Sequence, residues 1–290
     1  MRVFPASLLV GLLISPYGGS VTLQHRTASL APEGPKLHIS WEAFDAHPLT
    51  AQNGLVVVQT RSALQIVDTR SLRVVHTFPL RRKGVCAVGL DGTTPVALVG
   101  CGSATSTRFA IVRFGGGNAW IPLRRRLDPL VYPVSFAFGD GKLFVARPGA
   151  AVDVLDLRTG AVSSHRPART LAKGEGYVRA SWLGGHLLAL DGTVVDVRSW
   201  RRRTLAEHAS ETVAGGPWLA TYGSGGIAVY TRSDLRLYRR VLRGRLVDEA
   251  RIAGRALYVR VGLVWHVIDI ASGRSLARLL PDDSQDLWLL

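Results

Sequence analysis

Several things are scarce in this 290-residue chain, and each scarcity removes a class of protein. There is one methionine, there are two cysteines, and only Lys36, Lys83, Lys142 and Lys173 are lysines. Two cysteines cannot staple a small disulfide scaffold, and the eight histidines (His25, His38, His47, His76, His165, His186, His208, His266) lack the spacings of a zinc site. The longest N-terminal apolar run, Ala6–Ile14, is too short for an ordinary membrane-crossing helix, and no other segment is a candidate. Amphipathic helical periodicity is missing throughout, which excludes helical repeats. Catalytic signatures are missing too: no H-E-x-x-H, no G-x-S-x-G elbow, no phosphate loop and no dinucleotide fingerprint. Asp282–Asp286 lacks the glycine and distal glutamate of a calcium loop. Gly115-Gly116-Gly117 lacks a following helix and reads as a hairpin turn.

What is present is apolar and basic. Hydrophobic residues make up 47% of the chain, enough for a core. Lysine and arginine number 36 against 21 acids, a net charge of +15 carried almost wholly by arginine. Such a surface attracts polyanions, anionic headgroups or acidic proteins with salt-sensitive affinity.

Two ladders of punctuation run along the chain. Tight turns with glycine second occur at Asn53-Gly54, Asp91-Gly92, Asp140-Gly141, Gly184-Gly185, Gly215-Gly216 and Ala253-Gly254, advancing by 38, 49, 44, 31 and 38 residues. Each precedes a short apolar run of strand length, such as Leu55–Val58, Leu143–Ala146 or Leu187–Leu190. A second ladder, counted at Asp68, Arg113, Asp156, Asp196, Tyr230 and Asp269, advances by 45, 43, 40, 34 and 39. Each of its rungs is an alternating strand running into a polar turn. Two markers in step, near 40 residues apart, predict units of four short strands, named a to d.

The stretch Ala151-Val152-Asp153-Val154-Leu155-Asp156-Leu157-Arg158-Thr159-Gly160-Ala161-Val162, with Val267–Arg274, is similar to the outer turn of the YVTN and PQQ-like β-propeller repeat families, and more distantly of WD repeats. The resemblance covers roughly residues 47–280. It implies an all-β, single-domain β-propeller of four-stranded blades, six or seven in number, and it is silent on function. A quinoprotein would carry a tryptophan after each outer turn. Only Gly115–Trp120 approximates that, so no quinone cofactor and no metal is expected.

The N-terminus reads two ways. Arg2, the run Ala6–Ile14 and the small residues Gly18 and Ser20 describe a signal peptide over 1–20, leaving 21–46 as a segment with a closing strand and 47–290 as the propeller. That predicts an exported, extracytoplasmic protein. Alternatively, Tyr17–Arg26 resembles Tyr222–Arg232, Leu8–Ile14 is strand b of a seventh blade, and residues 6–26 belong to a cytoplasmic protein. Lys36–Trp41 and Asp286–Leu290 are candidate strands to share the closing blade. Cys86 and Cys101 flank the Asp91–Thr94 turn, and a hairpin centred midway between them sets them opposite each other as a disulfide candidate or as two buried thiols.

Topology places candidate sites. The connections from strand d to the next strand a hold Arg81, Arg82 and Lys83, then Arg124, Arg125 and Arg126, then Arg239, Arg240 and Arg243. On the opposite face the c-to-d turns pair an acid with an arginine two residues on. The d-to-a face is therefore the expected basic docking face for a protein or an anionic polymer or surface, with nucleic acid the less favoured partner. Tyr132, Tyr177, Arg179, Glu211, Glu249 and Arg251 fall near strand a, as lining for a central-channel pocket. The expectation is a monomeric, non-enzymatic binding or scaffold module; the alternative is an enzyme using the channel mouth, a metal-assisted lyase or hydrolase served by Glu211 and Glu249 or a quinoprotein-like one.

Overall fold

The computed structural model describes residues 9–17, 20–27, 32–40, 47–52, 55–60, 63–79, 85–91, 94–99, 110–114, 119–122, 135–146, 151–166, 179–190, 192–205, 209–279 and 286–289. Among them there is no helix, and hence none able to cross a membrane. Every strand belongs to a four-stranded antiparallel sheet. Six sheets are continuous in sequence. Sheet II comprises His47–Gln52, Leu55–Gln59, Ala63–Asp68 and Arg73–Pro79, in that order as strands a to d. Sheet III comprises Val85–Asp91, Thr94–Val99, Ala110–Arg113 and Ala119–Pro122. Sheet IV comprises Ser135–Gly139, Lys142–Ala146, Val152–Asp156 and Val162–His165. Sheet V comprises Ala180–Gly184, Leu187–Leu190, Thr193–Asp196 and Arg201–Thr204. Sheet VI comprises Ala209–Gly215, Trp218–Gly223, Gly226–Thr231 and Leu237–Val241. Sheet VII comprises Glu249–Ala253, Ala256–Val261, Val264–Asp269 and Ser275–Leu279.

Sheet I joins the two ends of the chain. Its strand a is Asp286–Leu289, followed by Leu9–Tyr17, Ser20–Thr27 and Pro32–Ser40. Leu12 pairs with Trp288 on one side and His25 on the other. The four-stranded pattern thus includes residues N-terminal to 47, with residues 9–17 and 20–27 as strands b and c of one sheet. An apolar run bounded by turn residues suits a buried strand as well as a leader.

The chain divides into two compact units. One is Met1–Arg82 with Asp248–Leu290, holding sheets I, II and VII; the other is Lys83–Val247, holding sheets III to VI. Within the second unit, strand a of each sheet neighbours strand a of the next. In the first, strand a of VII neighbours strand a of I, and strand b of I neighbours strand a of II.

Strands b and c are the inner strands of each sheet, and strand b of sheets II and IV is apolar in succession rather than alternately. Leu143, Phe144, Val145 and Ala146 are all buried, as are Val56, Val57 and Val58. Both faces of a sheet must then be covered. Leu143 and Val145 pack with Val96, Leu98 and Ile111 of sheet III. Phe144 and Ala146 face the other way, with Leu188, Leu190 and Val195 of sheet V. Strand a lets the next sheet approach. The Phe138 ring lies over the bare Cα of Gly89, and the Trp182 ring over that of Gly139; a Cβ on either glycine would collide with the ring. Trp182 also stacks on Phe144, centroids 5.1 Å apart and planes 11° apart.

Strand d is the exposed edge. Arg73 to Thr77 are all exposed, as are Arg201, Arg202 and Arg203. Charged side chains on an edge oppose pairing with a stray strand.

The second ladder is a repeated aspartate-closed turn between strands c and d. Asp68 Oδ1 accepts from the amides of Arg70 at 3.1 Å and Ser71 at 2.7 Å, and from the Ser71 hydroxyl at 2.8 Å. Asp156 Oδ1 repeats this with Arg158 at 3.0 Å and with the Thr159 amide and hydroxyl at 2.7 and 2.8 Å. Asp196 accepts from the Arg198 amide, and Asp269 from that of Ser272. Four residues after each aspartate the backbone turns left-handed: Leu72, Gly160, Trp200 and Gly273 have φ of 50°, 69°, 55° and 72°. Glycine takes this conformation without strain. Sheet VI departs from the pattern. Leu235 is its left-handed residue, so Thr231, not Tyr230, holds the aspartate's place, and its hydroxyl donates to Asp234.

These bonds keep the carboxylates ionised. The Ser71 amide and hydroxyl hold Asp68 below the ordinary carboxylate value. Burial alone would raise Asp156 and Asp269, but the bonds from Thr159 and Ser272 outweigh it and both are lowered. The Arg198 amide lowers Asp196. A depressed carboxylate stabilises the fold above its unfolded value, about pH 4, and the contribution disappears as pH falls through the folded value. Thermal stability should therefore drop between about pH 5 and pH 2, and Asp156→Asn should flatten that drop. Differential scanning calorimetry against pH checks this; an unchanged slope in the variant contradicts it. Separately, Gly139→Ala should lower stability by about 1–3 kcal/mol, because the new methyl displaces the Trp182 ring. Urea unfolding measures it.

Candidate functional site

Strand a gathers two charged clusters, one in each unit. In the second unit, Glu211 stands opposite Tyr222 across strands a and b of sheet VI. The Tyr222 hydroxyl donates to Glu211 Oε2, and Arg179, one residue before strand a of sheet V, pairs with Glu211 Oε1. In the first unit, Glu249 pairs across the sheet with Arg260, and Arg251 with Tyr258. Strand alternation puts all four on one face of sheet VII. Arg251 Nη2 lies 2.6 Å from Glu249 Oε1, and Arg260 Nε 3.4 Å from Oε2. Glu249 is 8% exposed. Tyr258 is fully buried, and burial pushes its hydroxyl up to about 12.

The two glutamates occupy the same place in the repeat, four residues before Gly215 and Ala253, where their a-to-b turns begin. Both carboxylates are committed to arginine. These pairs tie Arg179 to strand a of sheet VI, and strands a and b of sheet VII to each other. Among the described residues no three His, Cys, Asp or Glu side chains converge as metal ligands.

Of the residues expected near strand a, the structure joins Arg179 to Glu211 and Arg251 to Glu249. Tyr132 and Tyr177 lie outside the described residues, as do Arg81, Arg82, Lys83, Arg124, Arg125, Arg126 and Cys101. Arg239 and Arg240 require correction. They lie within strand d of sheet VI, opposite Val229 and Ala228, rather than in the connection after it. An exposed edge strand tolerates charge, so the arginine pair did not end the strand. Arg243 and Arg245 do lie in that connection, and both are exposed. Asp91 pairs with Thr94 and Val85 with Val99, so the hairpin that Cys86 enters is centred near residue 92 rather than midway between the two cysteines. Cys86 falls at the register shift between Val85 and Ala87, opposite no residue.

Arg201, Arg202 and Arg203 were missed as candidates. Three successive arginines read as the start of a strand, and nothing in the sequence shows what faces them.

The chain matches no protein-family model, and no curated protein matches it. Among solved structures it is similar to the computationally designed Ika8 protein, at 11% identity and a TM-score of 0.57, over 98% of this chain and 97% of that one. At that identity the likeness speaks for the fold alone.

Removing the Glu249 carboxylate leaves two partly buried arginines facing each other. Glu249→Ala should cost about 1–3 kcal/mol, and Glu249→Ala combined with Arg260→Leu should cost less than that single change. Equilibrium unfolding of both variants checks this; a double variant less stable than Glu249→Ala contradicts it.

Proposed function

We propose that the chain is a β-propeller of seven four-stranded blades that serves as a non-enzymatic binding module for an anionic partner, an acidic protein or an anionic polymer. The shared sheet of the chain's two ends supports a ring latched at sheet I. The order of neighbouring a strands within each unit supports the blade arrangement.

One observation carries the binding reading. Among the described residues, the turn aspartates and the strand-a glutamates are engaged locally, while several arginines stand exposed. Asp68, Asp156, Asp196, Asp234 and Asp269 each accept hydrogen bonds within their own turns. Glu211 and Glu249 are held by arginines near strand a. Exposed arginines such as Arg166, Arg240, Arg243 and Arg245 contribute to the net charge of +15. A surface of that kind raises association rates with polyanions and releases counterions on contact.

The test is binding to immobilised heparin, used as a generic polyanion, across a salt series. Affinity should fall at least tenfold between 50 and 200 mM salt, on the order expected for several charge contacts. Replacing Arg240, Arg243 and Arg245 together by serine should make the log–log slope shallower. Binding that is indifferent to salt would overturn the proposal.

A further inference from the structure

A cleft of roughly 580 Å³ opens between sheets V and VI in the second unit, at the end of the sheets that carries the a-to-b and c-to-d turns. Its floor is glycine and apolar: Gly184, Gly185 and Leu187, with Val194, Pro217 and Leu235. Its size falls in the range of small-ligand sites, about 300–1,000 Å³.

Three guanidinium groups border it. Arg201 and Arg203 lie two apart on strand d of sheet V, and so share the face that Val194, the partner of Arg203, turns to sheet VI. Arg203 Nη1 donates to the Asp234 carbonyl at 2.8 Å, which ties it across the cleft. Arg232 comes from the opposite wall. Its Nη1 reaches the Gly216 carbonyl at 3.4 Å, and its guanidinium lies so close over Gly184 that a Cβ there would strike Nη2. A guanidinium has five N–H donors, and each of these bonds uses one. Two arginines are thereby fixed in place with donors remaining, and Arg201 stands exposed beside them.

The acids in the cleft are engaged elsewhere. Asp234 accepts from the Thr231 hydroxyl and the Arg236 amide. Asp196 accepts from the Arg198 amide, and His186 Nε2 lies 3.4 Å from its other oxygen. The cleft thus presents fixed donors and positive charge over a small apolar floor. Arginine forks match the spacing of oxygen pairs on tetrahedral oxyanions.

We propose that this cleft binds a small ligand carrying a tetrahedral oxyanion, a phosphate or sulfate ester, with Arg201, Arg203 and Arg232 as its anion contacts. The site is distinct from the connection bearing Arg243 and Arg245, and it stands whether or not that connection docks a polyanion.

The probes are inorganic phosphate, inorganic sulfate and phenyl phosphate, titrated calorimetrically into the full chain at constant ionic strength set with chloride. All three should bind, phenyl phosphate most tightly because its ring meets the apolar floor. Arg201→Ala should weaken phosphate binding at least fivefold, and Arg201→Ala with Arg232→Ala at least twentyfold. Arg274→Ala, at an exposed position in the c-to-d turn of sheet VII, should leave it unchanged. Arg201 is exposed, so the single variant remains informative if the double variant fails to fold. Phosphate heats no larger than those of chloride, or wild-type affinity in Arg201→Ala, would overturn the proposal. Tight phenyl phosphate binding with no response to inorganic phosphate would overturn it as well, since the apolar floor and not the arginines would then be the site.

Discussion

Everything in this molecule follows from sheets that are apolar on both faces. A strand such as Leu143–Ala146, buried at every residue, cannot satisfy itself within one sheet. It needs a neighbouring sheet on each side, and sheet IV has both: sheet III against Leu143 and Val145, sheet V against Phe144. Glycine in strand a and an aromatic ring from the next sheet set how close that approach is, as at Gly139 and Trp182. Polar chemistry is then displaced to turns and edges.

That displacement explains the distribution of charge. Aspartates sit where a carboxylate can close a c-to-d turn, and they are spent on backbone amides there. Exposed arginines such as Arg73, Arg201 and Arg240 take edge strands, where a long aliphatic stem covers apolar surface and the head stays in water. A basic exterior arises from this division of labour without any single basic motif. The cleft between sheets V and VI is where edge arginines and turn acids meet, and there the turn acids are already engaged while the arginines retain donors.

The repeat was legible because its punctuation is chemical. Gly184-Gly185 and Asp156–Gly160 mark turns that few other residues make, and Leu187–Leu190 begins and ends where the apolar run does. The ends of units were harder. The resemblance of Tyr17–Arg26 to Tyr222–Arg232 pointed to a seventh four-stranded sheet, yet Leu9–Tyr17 satisfies a leader pattern equally well, and periodicity cannot choose between them. Arg239 and Arg240 misled because charge was read as the end of a strand, whereas on an edge strand it is tolerated. The hairpin centre was harder to place, because register is set by Asp91 and Thr94 at the turn and shifts by one at Cys86. Of the site, Arg179 with Glu211 and Glu249 with Arg251 were visible as residues near strand a. Their pairing was not, because it depends on which face each side chain takes, and that alternates with one residue. The cleft was invisible because its walls come from positions some thirty residues apart, joined only by the packing of two sheets.

The claim that successive sheets hold one another face to face is tested most directly by a double-mutant cycle between Phe144 of sheet IV and Trp182 of sheet V, each replaced by leucine. Stacked rings contribute beyond the area they bury, so the account predicts a coupling energy of about 0.5–1.5 kcal/mol. Losses that add to within about 0.3 kcal/mol would contradict it, since residues that do not touch behave independently.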